Sequence, residues 1–212
     1  MSQSIEFLKS LIPYPLYSKL KNIRGKAQLK IWEKEGKPIP PPHAVKQSII
    51  REYRKKSGND ILIETGTFLG DMVEAQKSYF RKIISIELSM ELYEKAKKRF
   101  KKNKHVEIIQ GDSGKVLKNI VSQLNKPAIF WLDGHYSSGK TARGDKDCPI
   151  FEELSTIFSF EDLSHVILID DARHFNGEGD YPTIQELVNF VKSKNSNYHS
   201  AVADDVIRFE RN

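Results

Sequence analysis

The stretch ILIETGTFLGD, residues 61–71, joins a short apolar run to a turn that contains Gly66 and Gly70. An apolar run of this length that ends at glycine is too short for most helices and predicts a β-strand. Glycines after a strand let the backbone approach a ligand closely, and the helix expected next begins with unpaired amide groups. Alternatively, the two glycines serve only the turn. Either way, the stretch predicts the strand, turn and helix that begin an α/β unit.

Similar apolar runs recur along the chain, and amphipathic segments separate them. The runs are KIISIE (82–87), HVEIIQGD (105–112), AIFWLD (128–133) and HVILID (165–170). The helical stripes are Leu92, Ala96 and Phe100, then Leu117, Ile120 and Leu124, and then Ile184, Leu187, Val188 and Val191. Continuous apolar strands that alternate with such helices predict a parallel sheet covered on both faces. The closing stretch YHSAVADDVIRFER, 198–211, predicts a terminal antiparallel hairpin on that sheet.

The N-terminal part differs from the rest in charge and in proline content. Residues 1–57 hold 13 Lys or Arg against 4 Glu, although the whole chain of 212 residues carries only +6. KPIPPPH, 37–43, interrupts any helix, so we expect a basic helical extension over 1–42 and a domain over 43–212. The extension could meet an anionic membrane, nucleic acid or an acidic partner, but we favour a solvated helical face over nucleic acid. Its Tyr14, Tyr17 and Trp32 could form a lid over an acceptor or a homo-oligomer contact.

Composition and the first residues limit the classes of protein. Apolar residues make up 39% and charged residues 29%, which is typical of a globular chain, and no apolar run nears the ~20 residues of a membrane span. The start, MSQSIEFLKSLIPYPL, does not have the pattern of a secretory signal, and the single Cys148 agrees with a reducing compartment. We therefore expect a cytoplasmic protein of one domain with an appendage.

Acidic residues stand at the ends of the second and third predicted strands. In an open parallel sheet, ligands bind beyond the carboxyl ends of the strands. Glu87 follows Gly66 by about 20 residues, the interval at which an acid suits the two hydroxyls of a ribose. Asp112 and Ser113 reach the same edge, where a carboxylate could accept a hydrogen bond from an adenine amino group. Alternatively, Asp112 caps the next helix.

The order ETGTFLG, IELS, QGDS and FWLDGH resembles the class I S-adenosylmethionine-dependent methyltransferases over roughly residues 45–212. The resemblance implies a Rossmann-like, mostly parallel seven-stranded sheet with a terminal antiparallel hairpin, and S-adenosylmethionine as cofactor. It implies these cofactor-binding residues: Glu64, Gly66, Thr67 and Gly70 beside the methionine part, Glu87 and Leu88 by the ribose, Asp112 and Ser113 by the adenine, and Asp133. A nicotinamide-binding domain needs G-x-G-x-x-G, whereas residues 64–69 read E-T-G-T-F-L. That difference favours a methyl donor over NAD.

Three carboxylates follow the fourth and fifth predicted strands: Asp133, Asp170 and Asp171. Carboxylates brought together repel one another and are costly to desolvate, so such a group usually recruits a cation, and Mg²⁺ suits oxygen ligands. The layout resembles the metal-dependent O-methyltransferases, both the catechol-type enzymes and the branch that acts on sugar hydroxyls. By this resemblance the three residues would be the metal ligands.

The long connection between Asp133 and Asp170 carries the residues that we expect to act on the acceptor. His135 is the candidate base, with Asp133 beside it as a catalytic residue, because an imidazole titrates near pH ~6.5. Alternatively, His135 orients a ligand or caps the loop. Lys140 and Arg143, with Arg173 after the acidic pair, suit an anionic or oxygen-rich acceptor, although a solvated charge run is the ordinary alternative.

Together the residues and the resemblance predict a metal-assisted O-methyltransferase for a hydroxyl of a sugar, glycan or other oxygen-rich acceptor. Three alternatives remain. An enzyme that moves another group, such as an aminopropyl transferase, would bind a related donor on the same fold. A nicotinamide oxidoreductase is disfavoured by the glycine spacing. A binding or scaffold protein would combine an inactive pocket with the basic arm.

Overall fold

The computed structural model describes residues 24–25, 27–134, 148–160 and 163–211. The chain divides between Lys46 and Gln47 into two compact units. In the first unit, residues 27–34 are helical, and the Trp32 indole donates a hydrogen bond to the Pro38 carbonyl at 2.8 Å. The proline-rich stretch after this helix is not helical up to residue 42, as the missing amide hydrogens predict.

The second unit is built around a mixed sheet, with one helix continuing into it from the first. The strands are β1 Ile61–Thr65, β2 Lys82–Glu87, β3 Val106–Gln110, β4 Ile129–Leu132, β5 Val166–Ile169, β6 Tyr198–Ala203 and β7 Val206–Arg211. The helices are α1 His43–Ser57, α2 Asp71–Gln76, α3 Met90–Phe100, α4 Ser113–Val121, α5 Ile150–Ile157 and α6 Ile184–Lys194, with a 3₁₀ turn at Ala172–His174. Within the described ranges, no helix is long and apolar enough to span a bilayer.

The strand order is β3-β2-β1-β4-β5-β7-β6, and β1 to β5 run parallel to one another. Strand β7 is antiparallel to both β5 and β6. All five predicted parallel strands are confirmed, and each lies within its predicted bounds. The predicted hairpin is confirmed too. Asp204 and Asp205 in its turn have φ angles of 53° and 63°, the left-handed pair that a tight turn between twisted strands requires.

Helical periodicity also predicted the buried faces. Leu92, Ala96 and Phe100 are the buried residues of α3. Helix α5 contradicts one expectation, since it lies in the connection after Asp133 that the sequence suggests is a long loop. Three buried residues of α5, Ile150, Leu154 and Ile157, follow the helical spacing, and α5 packs against α4.

The topology places one crevice at the centre of the sheet. From β1 the chain moves outward through β2 and β3, and it then returns to lay β4 on the other side of β1. Neighbouring loops diverge at such a reversal, which is where open α/β sheets bind ligands. Thr65 pairs with Ile86 on one side and with Leu132 on the other, and Leu132 pairs with Ile169. The residues that follow these positions therefore share one rim.

Candidate active site

The turn after β1 touches the end of β4 at Gly66. Its φ angle is 85°, and a Cβ added there would lie 2.3 Å from the Asp133 carbonyl oxygen. Only glycine permits this approach. Gly70 has another role in packing, because a Cβ on it would lie 2.6 Å from the Phe100 ring on α3. Close packing therefore explains why both positions are glycine, and the part of these glycines in cofactor binding stays a prediction.

Glu64 lies beneath the turn, where it is buried in the sheet. Its carboxylate accepts a hydrogen bond from the Ser85 hydroxyl at 2.5 Å, and that hydroxyl also lies 2.6 Å from Thr67 Oγ1. Burial raises the pKa of Glu64 to about 8, the Ser85 hydrogen bond opposes that rise, and the charge of Glu87 adds to it. The buried group is therefore neutral at pH 7, and Thr67 and Ser85 join it in one polar cluster.

Glu87 ends β2 and is held by two backbone amides. Its two oxygens accept hydrogen bonds from the Phe68 amide at 2.7 Å and from the Ser89 amide at 2.9 Å. The carboxylate thus ties the turn after β1 to the start of α3, and each oxygen keeps a second lone pair for a ligand. Leu88, next in the chain, is partly buried, and its carbonyl accepts a hydrogen bond from Gln110.

Asp112 caps helix α4, which the sequence left as the alternative to adenine binding. Its side chain accepts a hydrogen bond from the Gly114 amide at 3.0 Å, and Lys115 Nζ lies 3.8 Å from its other oxygen. A cap uses only part of the acceptor capacity of a carboxylate, so the two roles are compatible. Ser113, the first residue of α4, is buried.

The three aspartates that follow β4 and β5 converge. Asp133, Asp170 and Asp171 each offer an oxygen within 4.8 Å of the others. Asp170 is 1% exposed and its Oδ1 accepts the Asp171 amide at 2.7 Å, while Asp171 itself has a left-handed φ of 55°. Aspartate adopts this left-handed conformation more readily than most residues, so the turn after β5 is compatible with its sequence.

Arg173 is engaged by carboxylates of the same region. Its guanidinium donates to Asp171 at 2.9 Å and also to Asp205, and its amide donates to Asp205 Oδ1 at 2.9 Å. Asp205 belongs to the β6–β7 turn and is 6% exposed. The Arg173 guanidinium therefore already neutralises part of the charge of this acidic group.

Some predicted residues lie outside the described part of the chain: His135, Lys140 and Arg143. Sequence reasoning also missed two residues that the structure brings to the crevice, Thr65 and Glu153. The amide of Asp133 lies 3.2 Å from Thr65 Oγ1, and Glu153 is 1% exposed on the apolar face of α5. The helical spacing of Glu153 with Ile150, Leu154 and Ile157 was the signal that could have revealed it.

No model of a known protein family matches the chain, and no curated protein is detectably similar in sequence. Solved structures are similar in fold. The SAH-bound methyltransferase PaMTH1 of Podospora anserina superposes with a TM-score of 0.56 at 18% identity, over 95% of this chain and 98% of its own. An O-methyltransferase of Bacillus cereus in complex with SAH gives a TM-score of 0.58 at 13% identity, over 88% and 90%.

The chain has the class I methyltransferase fold. A third structure agrees: TomG of Streptomyces achromogenes, an O-methyltransferase of tomaymycin synthesis in complex with SAM, has a TM-score of 0.58 at 14% identity over 88% of both chains. Open α/β sheets bind ligands at the topological reversal, which here lies between β1 and β4. Gly66, Glu87, Asp112 and Asp133 all lie at that rim.

Proposed function

We propose that the chain is an S-adenosylmethionine-dependent O-methyltransferase that uses a divalent cation to methylate a hydroxyl of a sugar, glycan or other oxygen-rich acceptor. One observation carries the proposal: the carboxylates of Asp133, Asp170 and Asp171 meet at the carboxyl ends of β4 and β5, on the rim where the sheet reverses. The SAM- and SAH-bound neighbours support the choice of donor. Lys140 and Arg143 in the sequence favour an oxygen-rich acceptor.

The donor side of the crevice fits an adenosyl group. Glu87 is held rigidly by two amides and keeps lone pairs for the two ribose hydroxyls. Asp112 has an oxygen beyond the one that caps α4, and it would accept a hydrogen bond from the adenine amino group. The absence of a side chain at Gly66 lets the turn after β1 pack directly against the Asp133 carbonyl at this crevice. When bound, S-adenosylmethionine supplies a methyl group on an electrophilic sulfonium.

The acidic side fits a hard divalent cation, because it offers three carboxylates within 4.8 Å of one another. Asp133, Asp170 and Asp171 would hold the ion, and Arg173 would orient Asp171 through their hydrogen bond. A bound Mg²⁺ supplies positive charge that lowers the pKa of an acceptor hydroxyl. His135 would take the hydroxyl proton as the acceptor oxygen bonds to the methyl carbon and the carbon–sulfur bond breaks.

Calorimetry tests the donor. The protein is titrated with S-adenosylmethionine, SAH and NAD, each with and without Mg²⁺. We expect both adenosyl compounds to bind and NAD to give no heat. Binding of NAD alone would make the chain an oxidoreductase candidate, and absence of all binding would favour a scaffold protein.

Two aspartate-to-asparagine variants, one in the proposed metal site and one at the opposite edge of the sheet, test whether the site binds a metal ion. Asp170→Asn keeps the size of the side chain but removes its charge, and we expect at least tenfold weaker Mg²⁺ binding and a similar loss of methyl transfer. Asp60→Asn is the matched control, because Asp60 lies at the amino end of β1, away from the crevice. Transfer is read by mass spectrometry on a panel of free sugars, nucleotide-activated sugars and catechols. Equal Mg²⁺ affinity in both variants would refute the metal site.

A further inference from the structure

A pocket opens at the edge of the sheet opposite the rim of acidic residues. Its volume is about 430 Å³, a size at which pockets bind small molecules. The lining comes from the amino ends of β1, β2 and β3 and from the chain that leads into β4. These four strands are neighbours in the sheet. Strand β1 has five residues, so roughly 15 Å separates this pocket from the donor crevice, and each could hold its own ligand.

The pocket, which we call the basic pocket, has an excess of positive charge. Four cations line it against two carboxylates: Arg81, Lys82, Lys104 and Lys126 against Asp60 and Glu107. Of the four cations, only Lys82 has an ion-pair partner in the described part of the chain, with its Nζ 3.6 Å from Glu107 Oε2. Those two side chains are 51% and 55% exposed, so water screens the pair and an anion could replace Glu107. The pocket therefore offers cations that the protein itself does not neutralise.

Backbone hydrogen bonds hold the walls of the basic pocket together. The Asp60 carbonyl accepts the Arg81 amide at 2.9 Å, which ties the entry of β2 to that of β1. The His105 carbonyl accepts the Ile83 amide at 2.8 Å, which ties the entry of β3 to β2. The His105 ring is held as well, because its Nε2 lies 2.8 Å from the Lys77 carbonyl oxygen, which can only accept a hydrogen bond. The cations are thus carried by backbone that the sheet fixes in place.

The chemistry of this lining suits phosphate. Arginine binds phosphate oxygens with two parallel hydrogen bonds, and lysine adds a compact positive charge. The other polar groups suit a different part of a ligand, since the Asp60 carboxylate accepts from a hydroxyl and the Asn125 amide both donates and accepts. A metal ion is disfavoured because cations outnumber carboxylates. A strand of nucleic acid is disfavoured as well, because it is bound along an extended groove with stacking aromatic side chains.

We propose that the basic pocket binds a phosphorylated small molecule that also carries hydroxyl groups, of the size of a nucleotide or a sugar phosphate. Arg81, Lys104 and Lys126 bind its phosphate, and Asp60 accepts a hydrogen bond from a hydroxyl. The site goes beyond the proposed methyl transfer and does not depend on it, because no residue of the donor crevice or of the acidic group lines the pocket.

Calorimetry with inorganic pyrophosphate, UDP and glucose 6-phosphate tests the site, with EDTA present so that no metal ion can hold a phosphate at the acidic residues. The three probes separate recognition of phosphate alone from recognition of a nucleotide or a sugar. We expect at least one to bind the wild type and unphosphorylated glucose to give no heat. The variant Arg81→Gln with Lys104→Gln should bind that probe at least about tenfold more weakly, because it loses two charge-assisted contacts.

A second double variant controls for net charge. Lys98→Gln with Lys118→Gln removes the same charge from exposed positions outside the pocket and should bind the probe within about threefold of the wild type. Equal losses in the two double variants would overturn the inference, as would a wild type that binds none of the three probes. If the pocket variant does not fold, Lys126→Glu decides, with at least about tenfold weaker binding expected and unchanged binding refuting the site.

Two further titrations identify other occupants. An RNA of about 20 nucleotides that binds more tightly than the small probes, and that the pocket variant no longer binds, would overturn the assignment in favour of nucleic acid. SAH should bind the pocket variant as it binds the wild type, and loss of SAH together with the probe would place the probe in the donor crevice instead. A wild type that binds a phosphate probe but not SAH would refute the proposed function and support the basic pocket.

Discussion

Replacing Glu64 by glutamine should stabilise the protein, and by more as the pH rises from about 5 to about 8. The folded state raises the pKa of Glu64 from 4.5 to about 8, chiefly through burial. Between these two values the folded protein holds a proton that the unfolded chain releases. The free energy of unfolding of the wild type therefore falls as the pH rises through this window, and it levels off above the folded pKa. Glutamine has no proton to lose and escapes this penalty.

The size of the effect follows from the shift. A change of one pKa unit corresponds to about 1.4 kcal/mol, so the rise from 4.5 to about 8 sets an upper limit of roughly 5 kcal/mol. The amide oxygen of the introduced glutamine can still accept the Ser85 hydroxyl, but its NH₂ group needs a new partner, which offsets part of the gain. We expect the free energy of unfolding of Glu64→Gln to exceed that of the wild type by roughly 2 to 5 kcal/mol at the upper end of the window and by much less near pH 5.

Guanidinium unfolding at several pH values measures the difference. Trp131 is fully buried in β4, so its fluorescence reports loss of the core. Glu107→Gln on β3 is a suitable control for exchanging a carboxylate for an amide on the same sheet, because the Glu107 side chain is 55% exposed. A constant difference in unfolding free energy between Glu64→Gln and the wild type from pH 5 to pH 8 would refute the reasoning.

Two further predictions concern the backbone. Gly66→Ala should destabilise the protein by at least about 3 kcal/mol and abolish SAH binding, because its Cβ would meet the Asp133 carbonyl at 2.3 Å. Gly179→Ala is the control, because Gly179 has a φ of 61° but no atom lies within 4 Å of the added Cβ. It should destabilise the protein by only about 1 to 2 kcal/mol and leave SAH binding intact. Equal losses of stability for the two variants in thermal unfolding would contradict the clash at Gly66. Thr183→Ala removes the capping box that Thr183 forms with Glu186 at the start of α6. It should lower the free energy of unfolding by about 1 kcal/mol, measured by denaturation, and leave the SAH affinity measured by calorimetry unchanged.

The sequence was enough to predict that acidic residues gather along one rim of the sheet, because the direction of parallel strands fixes where they end. Parallel strands end at the same edge of a sheet, so the residues after β1, β2, β3, β4 and β5 share one rim once the strands are recognised. The convergence of Asp133, Asp170 and Asp171 within 4.8 Å also requires β4 and β5 to be adjacent, which the strand order shows. The hydrogen bonds of Glu87 to Phe68 and Ser89 did not follow from it, since they depend on how two loops fold back on the strand end.

The sequence also could not predict which neighbours individual residues contact. Gly70 suggested a ligand-facing turn, yet its close neighbour is the Phe100 ring. Arg173 suggested a free cation for an acceptor, yet it pairs with Asp205 from a turn near the end of the chain. Both neighbours are brought there by elements more than 25 residues away, whose approach no local pattern encodes.

By itself, the sequence determined the alternation of strands and helices, the parallel sheet with its terminal hairpin and the edge at which acidic groups gather, because these depend on periodicity and on chain direction. Only the tertiary structure decided which of those groups share hydrogen bonds, that Glu64 is buried against Ser85, and that Glu153 of α5 is buried beside the turn after β4. Those contacts arise from the packing of distant elements, where distances of a few tenths of an ångström decide between contact and separation.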